Sequence, residues 1–255
     1  MIDNRPIGIF DSGVGGLTVA RQIMAAMPGR RLVYYGDSLR APYGGRQPAE
    51  LINFSREIID FLLTKDIGAL VVACGTISAT VFDIVKQMAG DMPVVGMVDA
   101  AVDAALQATS HGQIGLIATA GTVASRAHEM AIKAKRPNAK IIAKACPLFV
   151  PLVEEGWLDN DVAKLTAKKY MSDIAKSGID TLILGCTHYP LLAGSIKAAI
   201  PADITIIDPA VQLAQNLKDM IGNGNEESPK HEFHVSGDKD KFNQLSYIAL
   251  NQHLL

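Results

Sequence analysis

LVVACGTISAT spans residues 70–80, and LILGCTHYPLL spans residues 182–192. Each begins with a short run that is almost wholly apolar, reaches a cysteine, and then turns to small or polar residues. A run of that kind is what a strand buried on both faces of a parallel sheet requires. Cys74 and Cys186 therefore occupy the same place, at a strand end, in two copies of one unit.

A second pair of segments agrees. IGIFDSG (7–13) parallels IGLIATAG (114–121), so the offsets are 114 − 7 = 107 and 186 − 74 = 112 residues. This is an internal repeat with a small drift in length. Strands are expected at 7–10, 32–35, 70–74 and 94–98, and again at 114–118, 141–145, 181–185 and 204–207. Helix-period segments lie between them at 17–27, 48–65, 77–89, 100–109, 124–135, 161–176 and 191–200. The alternation gives an α/β fold of two pseudo-symmetric domains, each a mainly parallel sheet flanked by helices. Ligands of such sheets bind at the carboxyl ends of the strands, which places the active site in the cleft between the domains. NGNEESPK (223–230) reads as an exposed connection, HEFHVSGD (231–238) as an added edge strand, and 241–255 as a helix. The expected division is 1–98 plus 208–255 for the first domain and 99–207 for the second.

Bulk properties narrow the function. With 255 residues, 49% hydrophobic and 20% charged, the chain is long enough for a substantial core and ordinary for a globular enzyme. A net charge of −2 offers no attraction to nucleic acid or an anionic membrane, and Lys133, Lys135 and Arg136 read as a solvated helix end. No stretch approaches a membrane span, and MIDNRPIGIF lacks a signal pattern. Three cysteines without such a signal argue for reduced thiols, not a disulfide framework. No Cys-x-x-Cys or His-x-x-x-His pair supports a metal site, and His231 and His234 fall in a strand-like alternation.

One reactive cysteine suggests a nucleophile with a histidine base, and His188 lies two residues after Cys186. That leaves Cys74 idle. Inversion at a carbon needs two groups, one to remove a proton from one face and one to donate on the other. A thiolate and a thiol suit those roles, since the reference cysteine pKa is about 8.5. Helix starts after each strand favour an anion, and Thr76, Thr187 and His188 supply nearby donors. Cys146, in KACPLFVP, reads instead as a small buried hydrophobe.

FDSGVGGLTV (10–19) joins the first strand to the first helix, and its glycines let the backbone approach a ligand. Asp37 stands 21 residues after Gly16, near a ribose-binding position, yet the glycine spacing departs from the dinucleotide pattern and no Walker lysine follows. Asp11 reads better as a receiver for an ammonium group, or as a carboxylate that manages the charge of Cys74. In YYGDSLRAPYGGR (34–46), the Tyr43 hydroxyl and the Gly44 amide could bind a carboxylate. Thr119, Thr122 and Ser125 offer further donors at a helix start. Glu154 is either a partner that tunes His188 or a solvated helix acid.

Taken together, DSGVGG (11–16), YYGD (34–37), PYG (42–44), Cys-x-Thr (74–76), CPLFVPLVE (146–154) and GCTHYPLL (185–192) resemble the glutamate racemases of the aspartate/glutamate racemase superfamily. The resemblance implies a cofactor-independent cytoplasmic enzyme that interconverts L- and D-glutamate and supplies D-glutamate for peptidoglycan. It implies Cys74 and Cys186 as the acid–base pair. Asp11, Ser12, Tyr43, Gly44, Thr76, Thr187 and His188 would hold substrate or adjust the thiols. It also implies a homodimer. The family usually reads Cys-Asn-Thr-Ala where this chain has Cys74-Gly75-Thr76-Ile77; Gly75 offers a substrate only its N–H and extra room. Three alternatives stay open: a two-thiol racemase for aspartate or another amino acid, a bilobed amino-acid-binding protein, and a single-thiol hydrolase or decarboxylase.

Overall fold

The computed structural model describes residues 4–250. Along the chain run β1 (Ile7–Asp11), α1 (Leu17–Ala26), β2 (Leu32–Gly36), α2 (Pro48–Leu63), β3 (Ala69–Val72), α3 (Gly75–Thr80), α4 (Phe82–Ala89), β4 (Val94–Gly96) and α5 (Met97–Ala108). The second half follows with β5 (Gln113–Ala118), α6 (Ala120–Ser125), α7 (Ala127–Lys135), β6 (Lys140–Ala145), α8 (Phe149–Glu154), α9 (Asp161–Ile174) and β7 (Thr181–Leu184). A 3-10 turn (Tyr189–Leu192), α10 (Ala193–Lys197), β8 (Thr205–Ile207), α11 (Pro209–Ile221), β9 (Glu232–Val235) and α12 (Lys239–Leu250) complete it.

The strands form two sheets, ordered β4-β3-β1-β2-β9 and β6-β5-β7-β8. All the pairings are parallel. Read from its other edge, the second sheet is β8-β7-β5-β6, which repeats β4-β3-β1-β2 with each strand replaced by its counterpart four later. The matched segments of the sequence are β1 with β5 and β3 with β7. In each sheet the order reverses between those two strands, and a parallel sheet opens its ligand crevice at that point. The repeat therefore places the loops after β1, β3, β5 and β7 at two crevices.

Local chemistry explains several boundaries. Residues of β1 and β3 are buried throughout, as expected of central strands. Helix α2 starts on a reciprocal cap between Gln47 and Glu50, with Pro48 in its first turn. Helix α11 starts where Asp208 accepts from the Ala210 amide at 3.0 Å, again with proline next. It then packs on both α1 and α5.

The structure departs from the sequence expectations in places. Segment 77–89 is two helices, broken at Val81 (φ −132°). The break lets α3 face α6 of the other half while α4 packs on α2. Segment 124–135 begins earlier, at Ala120, and breaks at Arg126, which adopts a left-handed conformation (φ 56°). There α6 turns toward α3 and α7 toward α5. Cys74 lies beyond β3 as the cap of α3, and β4 ends at Gly96 because α5 begins there. Segment 191–200 resolves into the 3-10 turn and α10. The expected terminal helix appears as α12; positions 251–255 lie outside the described residues. Helices α8 and α11 were not anticipated, the first because it is one short turn beside Pro151, the second because its Asp208-Pro209 start went unread.

His128 sits in the first turn of α7 and is buried, and among the described residues neither ring nitrogen has a hydrogen-bond partner. Burial pushes its pKa down to about 4. The unfolded chain, with a pKa of about 6.5, therefore takes up this proton first as pH falls. The neutral ring's contribution is intact above about pH 6.5 and is lost toward pH 4, a change on the order of 3 kcal/mol. Urea unfolding across that window is expected to show a shallower loss of stability for His128→Leu than for the natural chain.

Candidate active site

Both thiols are free and nearly buried. Cys74 leaves β3 in extended conformation and stands at the N-terminal cap of α3, where the Ile77 and Thr76 amides favour charge on its sulfur. Cys186 follows β7, where the Gly185 amide is still tied to the Ile117 carbonyl at 2.7 Å. The two sulfurs come from opposite halves and lie near enough for charge on one to be felt by the other.

Asp11 ends β1 with no exposure to solvent. One carboxylate oxygen accepts from the amides of Gly13 (3.1 Å) and Gly16 (3.0 Å), and the other from the Thr187 hydroxyl of the second half (3.3 Å). The glycine-rich loop thus spends amides on the chain's own carboxylate, which leaves a pyrophosphate facing a buried negative charge. Burial raises the Asp11 pKa above the usual carboxylate range, against the pull of His188 and the two amides. Ser12 follows it, also buried.

Asp37 is equally buried and accepts from the Tyr43 hydroxyl, from Arg40 Nε (2.6 Å) and from the Ser236 hydroxyl beyond β9 (2.7 Å). It braces the loop after β2 from within. The Tyr43 hydroxyl proton is thereby directed at Asp37, and Gly44 is the part of the loop that meets the second half, where its carbonyl accepts from the Gly121 amide at 2.8 Å. Sequence reasoning noted Asp37 only as a rival ribose ligand and missed Arg40 and Ser236; the charged Asp-x-x-Arg spacing was the available signal.

Three buried threonines form a chain across the halves. Thr76 and Thr119 hydroxyls lie 3.0 Å apart, as do those of Thr119 and Thr122. Thr119 also caps α6. Ser125 turns away, donating to the Thr122 carbonyl at 2.8 Å.

His188 joins the last groups. Its Nε2 lies 2.7 Å from Glu154 Oε1, and its Nδ1 lies 3.8 Å from Cys186 Sγ. Glu154 is therefore a partner of His188, not a solvated helix acid. Burial alone would push the imidazolium down, but Cys186 and Glu154 reverse this and hold its pKa well above 6.5. Glu154 is pushed up by burial and brought below its ordinary value chiefly by His188. At Cys74 the balance is opposite. Burial and then Asp11 raise the thiol to about 12, with Cys186 adding, against the Ile77 and Thr76 amides. One thiol thus adjoins a cation and the other a carboxylate.

Cys146 lies in the core, with its carbonyl accepting from the Tyr189 hydroxyl at 2.9 Å. His231 accepts from the Leu32 amide, and His234 pairs with Glu232 at 3.3 Å and sits edge-on to Phe61. Among the described residues, no group of three or more His, Cys, Asp and Glu side chains is placed to hold a metal ion, and no helix is long and apolar enough to cross a membrane.

Known proteins share this fold. Residues 17–217 match the family model described as Asp/Glu/Hydantoin racemase. A glutamate racemase from Geobacter metallireducens is 43% identical over 237 residues, 91% of this chain and 87% of that protein. Two solved structures superpose along nearly the whole length. A glutamate racemase from Francisella tularensis in complex with D-glutamate has a TM-score of 0.92 at 35% identity, covering 100% of this chain and 96% of its own. The glutamate racemase isoform RacE1 from Bacillus anthracis has a TM-score of 0.94 at 36% identity, covering 98% and 95%. With the family model spanning most of the sequence, and the repeat and both thiols in place, the chain belongs to the Asp/Glu/Hydantoin racemase family.

Proposed function

We propose that the protein interconverts L- and D-glutamate by moving one proton off, and another onto, the α-carbon, with Cys74 and Cys186 as the two proton carriers. The observation that carries this reading is the pair of buried free thiols, each after an equivalent strand and near enough for each to feel the other's charge. Relatives of similar length act on glutamate by name, which supports the choice of substrate.

In this reading Cys186 acts as the base beside the His188 imidazolium, which Glu154 holds from behind. Cys74 is the thiol. The substrate ammonium pairs with Asp11, with Ser12 beside it. Its carboxylates take the hydroxyls of Thr76, Thr119, Thr122 and Thr187 and the amides of Gly44 and Gly75; Tyr43 holds the Gly44 loop in place. Cys186 then removes the α-proton of the enantiomer that presents it there. Cys74 delivers its own proton to the opposite face. One proton leaves carbon and one arrives, so the products are the other enantiomer, a thiol at Cys186 and a thiolate at Cys74. Substrate helps the second half of this exchange. An ammonium on Asp11 offsets the carboxylate that otherwise holds the Cys74 proton, so the thiol becomes a better donor once the site is filled. We extend the reading to a cytoplasmic homodimer that supplies D-glutamate for peptidoglycan, and to domains divided as 1–98 plus 208–255 and 99–207.

Incubation with either glutamate enantiomer in deuterated water should exchange the α-hydrogen and invert the centre. Cys74→Ser and Cys186→Ser should each lower the racemisation rate by about 10²–10⁴-fold, the usual worth of a positioned acid or base. Damage at only one position would point to single-thiol chemistry instead. A binding protein would leave the α-hydrogen in place.

The His188 charge can be followed directly. Nitrogen NMR of the ring should show the doubly protonated form at pH 7 and above. Glu154→Gln removes a negative neighbour, so the ring should lose its proton at lower pH, and the alkaline limb of the rate profile should move with it. A titration unchanged by that variant would remove Glu154 from the account.

A further inference from the structure

The Gly13–Val14 peptide sits between the two halves. Its carbonyl accepts from the Tyr34 hydroxyl at 2.6 Å. Its N–H, the Val14 amide, favours charge on Glu154, the carboxylate that holds His188 at 2.7 Å. A Cβ on Gly13 would lie 2.8 Å from Glu154 Oε1 and 3.9 Å from His188 Nε2, so bare backbone of the first half lies against that pair. The Gly13 amide meanwhile donates to Asp11 at 3.1 Å. Tyr34 stands behind this junction. It comes from β2 and is fully buried. A Cβ on Gly16 would lie 2.6 Å from its hydroxyl, so the phenol reaches in under the glycine-rich turn. Its ring packs on Phe233 of β9 and Phe242 of α12, with centroids 6.0 and 6.2 Å away. Among the described residues, no backbone amide donates to the Gly13 carbonyl.

We propose that Tyr34 is a positioning residue for the proton transfer: its hydroxyl fixes the Gly13–Val14 peptide and, through that peptide, the Glu154 carboxylate that holds His188 beside Cys186. This deepens the racemase reading and rests on it. A peptide unit is planar, so a donor that fixes its carbonyl also fixes the direction of the N–H on the opposite edge. Donation to the carbonyl polarises the unit as well and strengthens that N–H as a donor. Burial, then the charges of Asp11, Glu154 and Cys74, hold the phenol well above its ordinary pKa of 10, so it keeps its proton while the groups around it titrate. Phenylalanine would fill the same ring space and leave a buried carbonyl without its donor, free to turn. The next residue offers a comparison, because successive residues of a strand face opposite sides of the sheet. The Tyr35 ring packs on Phe61 at 5.2 Å, away from the site.

The test is Tyr34→Phe, which keeps the ring, compared with Tyr35→Phe. Tyr34→Phe is expected to lower kcat about tenfold in both directions, the upper range for one hydrogen bond. Tyr35→Phe is expected to match the natural chain. Nitrogen NMR separates positioning from a loss of stability. Cys186, Glu154 and Asp11 face the His188 ring, and Lys241 of α12 lies near Glu154. With Glu154 held less firmly, the ring should lose its proton at lower pH in folded Tyr34→Phe. In a Glu154→Gln background the kcat loss from Tyr34→Phe should shrink below about twofold, because the group it acts through is gone. A third readout leaves Tyr34 in place. Coupling is reciprocal, so Glu154→Gln should shift the carbon resonance of Tyr34 Cζ and not that of Tyr35. A full tenfold loss persisting in the Glu154→Gln background would overturn the proposal, as would an unmoved His188 titration or an unmoved Tyr34 resonance. Failure of the natural protein to exchange the α-hydrogen of glutamate would instead count against the racemase reading, and the two NMR readouts would still decide the role of Tyr34.

Discussion

A carboxylate without solvent organises the site. Asp11 is buried, so its charge must be met from within. Two amides of its own loop and one hydroxyl from the other half meet it. The first requirement wraps the glycine-rich loop tightly. The second ties the halves together beside Cys186. The same charge raises the Cys74 thiol and is felt by His188. Loop shape, interdomain contact and the raised Cys74 thiol are consequences of one ionisable group placed at the end of β1, while His188 is held by Cys186 and Glu154.

The repeat supplies symmetry, and the flanking residues remove it. Cys74 and Cys186 are equivalent in the two sheets. After Cys74 comes a helix start whose amides address the sulfur. After Cys186 come Thr187 and His188, and His188 recruits Glu154 from α8. Two equivalent positions thereby acquire opposite neighbours, a carboxylate at one and an imidazolium at the other.

Much of this is legible in the sequence. Apolar runs ending in cysteine locate β3 and β7, and the IGIF and IGLI segments locate β1 and β5. Their order gives two parallel sheets and the cleft. The site residues are legible where chemistry narrows the choice, as for Asp11, His188 and the paired thiols. Other features depend on contacts that no local pattern encodes. The breaks at Val81 and Arg126 arise because successive helical turns pack on different partners. The bond from Ser236 to Asp37 spans nearly the whole chain. The close approach of Gly75 to the Gly185 carbonyl joins residues more than a hundred positions apart, so the sequence shows only a missing side chain.

The two sheets share one strand order within a single polypeptide. One half alone carries one sulfur and one wall of a crevice. Two identical copies meeting face to face would enclose a ligand, but each sulfur would then have the same surroundings, and a symmetric pair has no preferred starting charge. Joining the copies into one polypeptide lets mutation treat them separately. Carrying both halves on one polypeptide is thus what lets the two sulfurs have different surroundings.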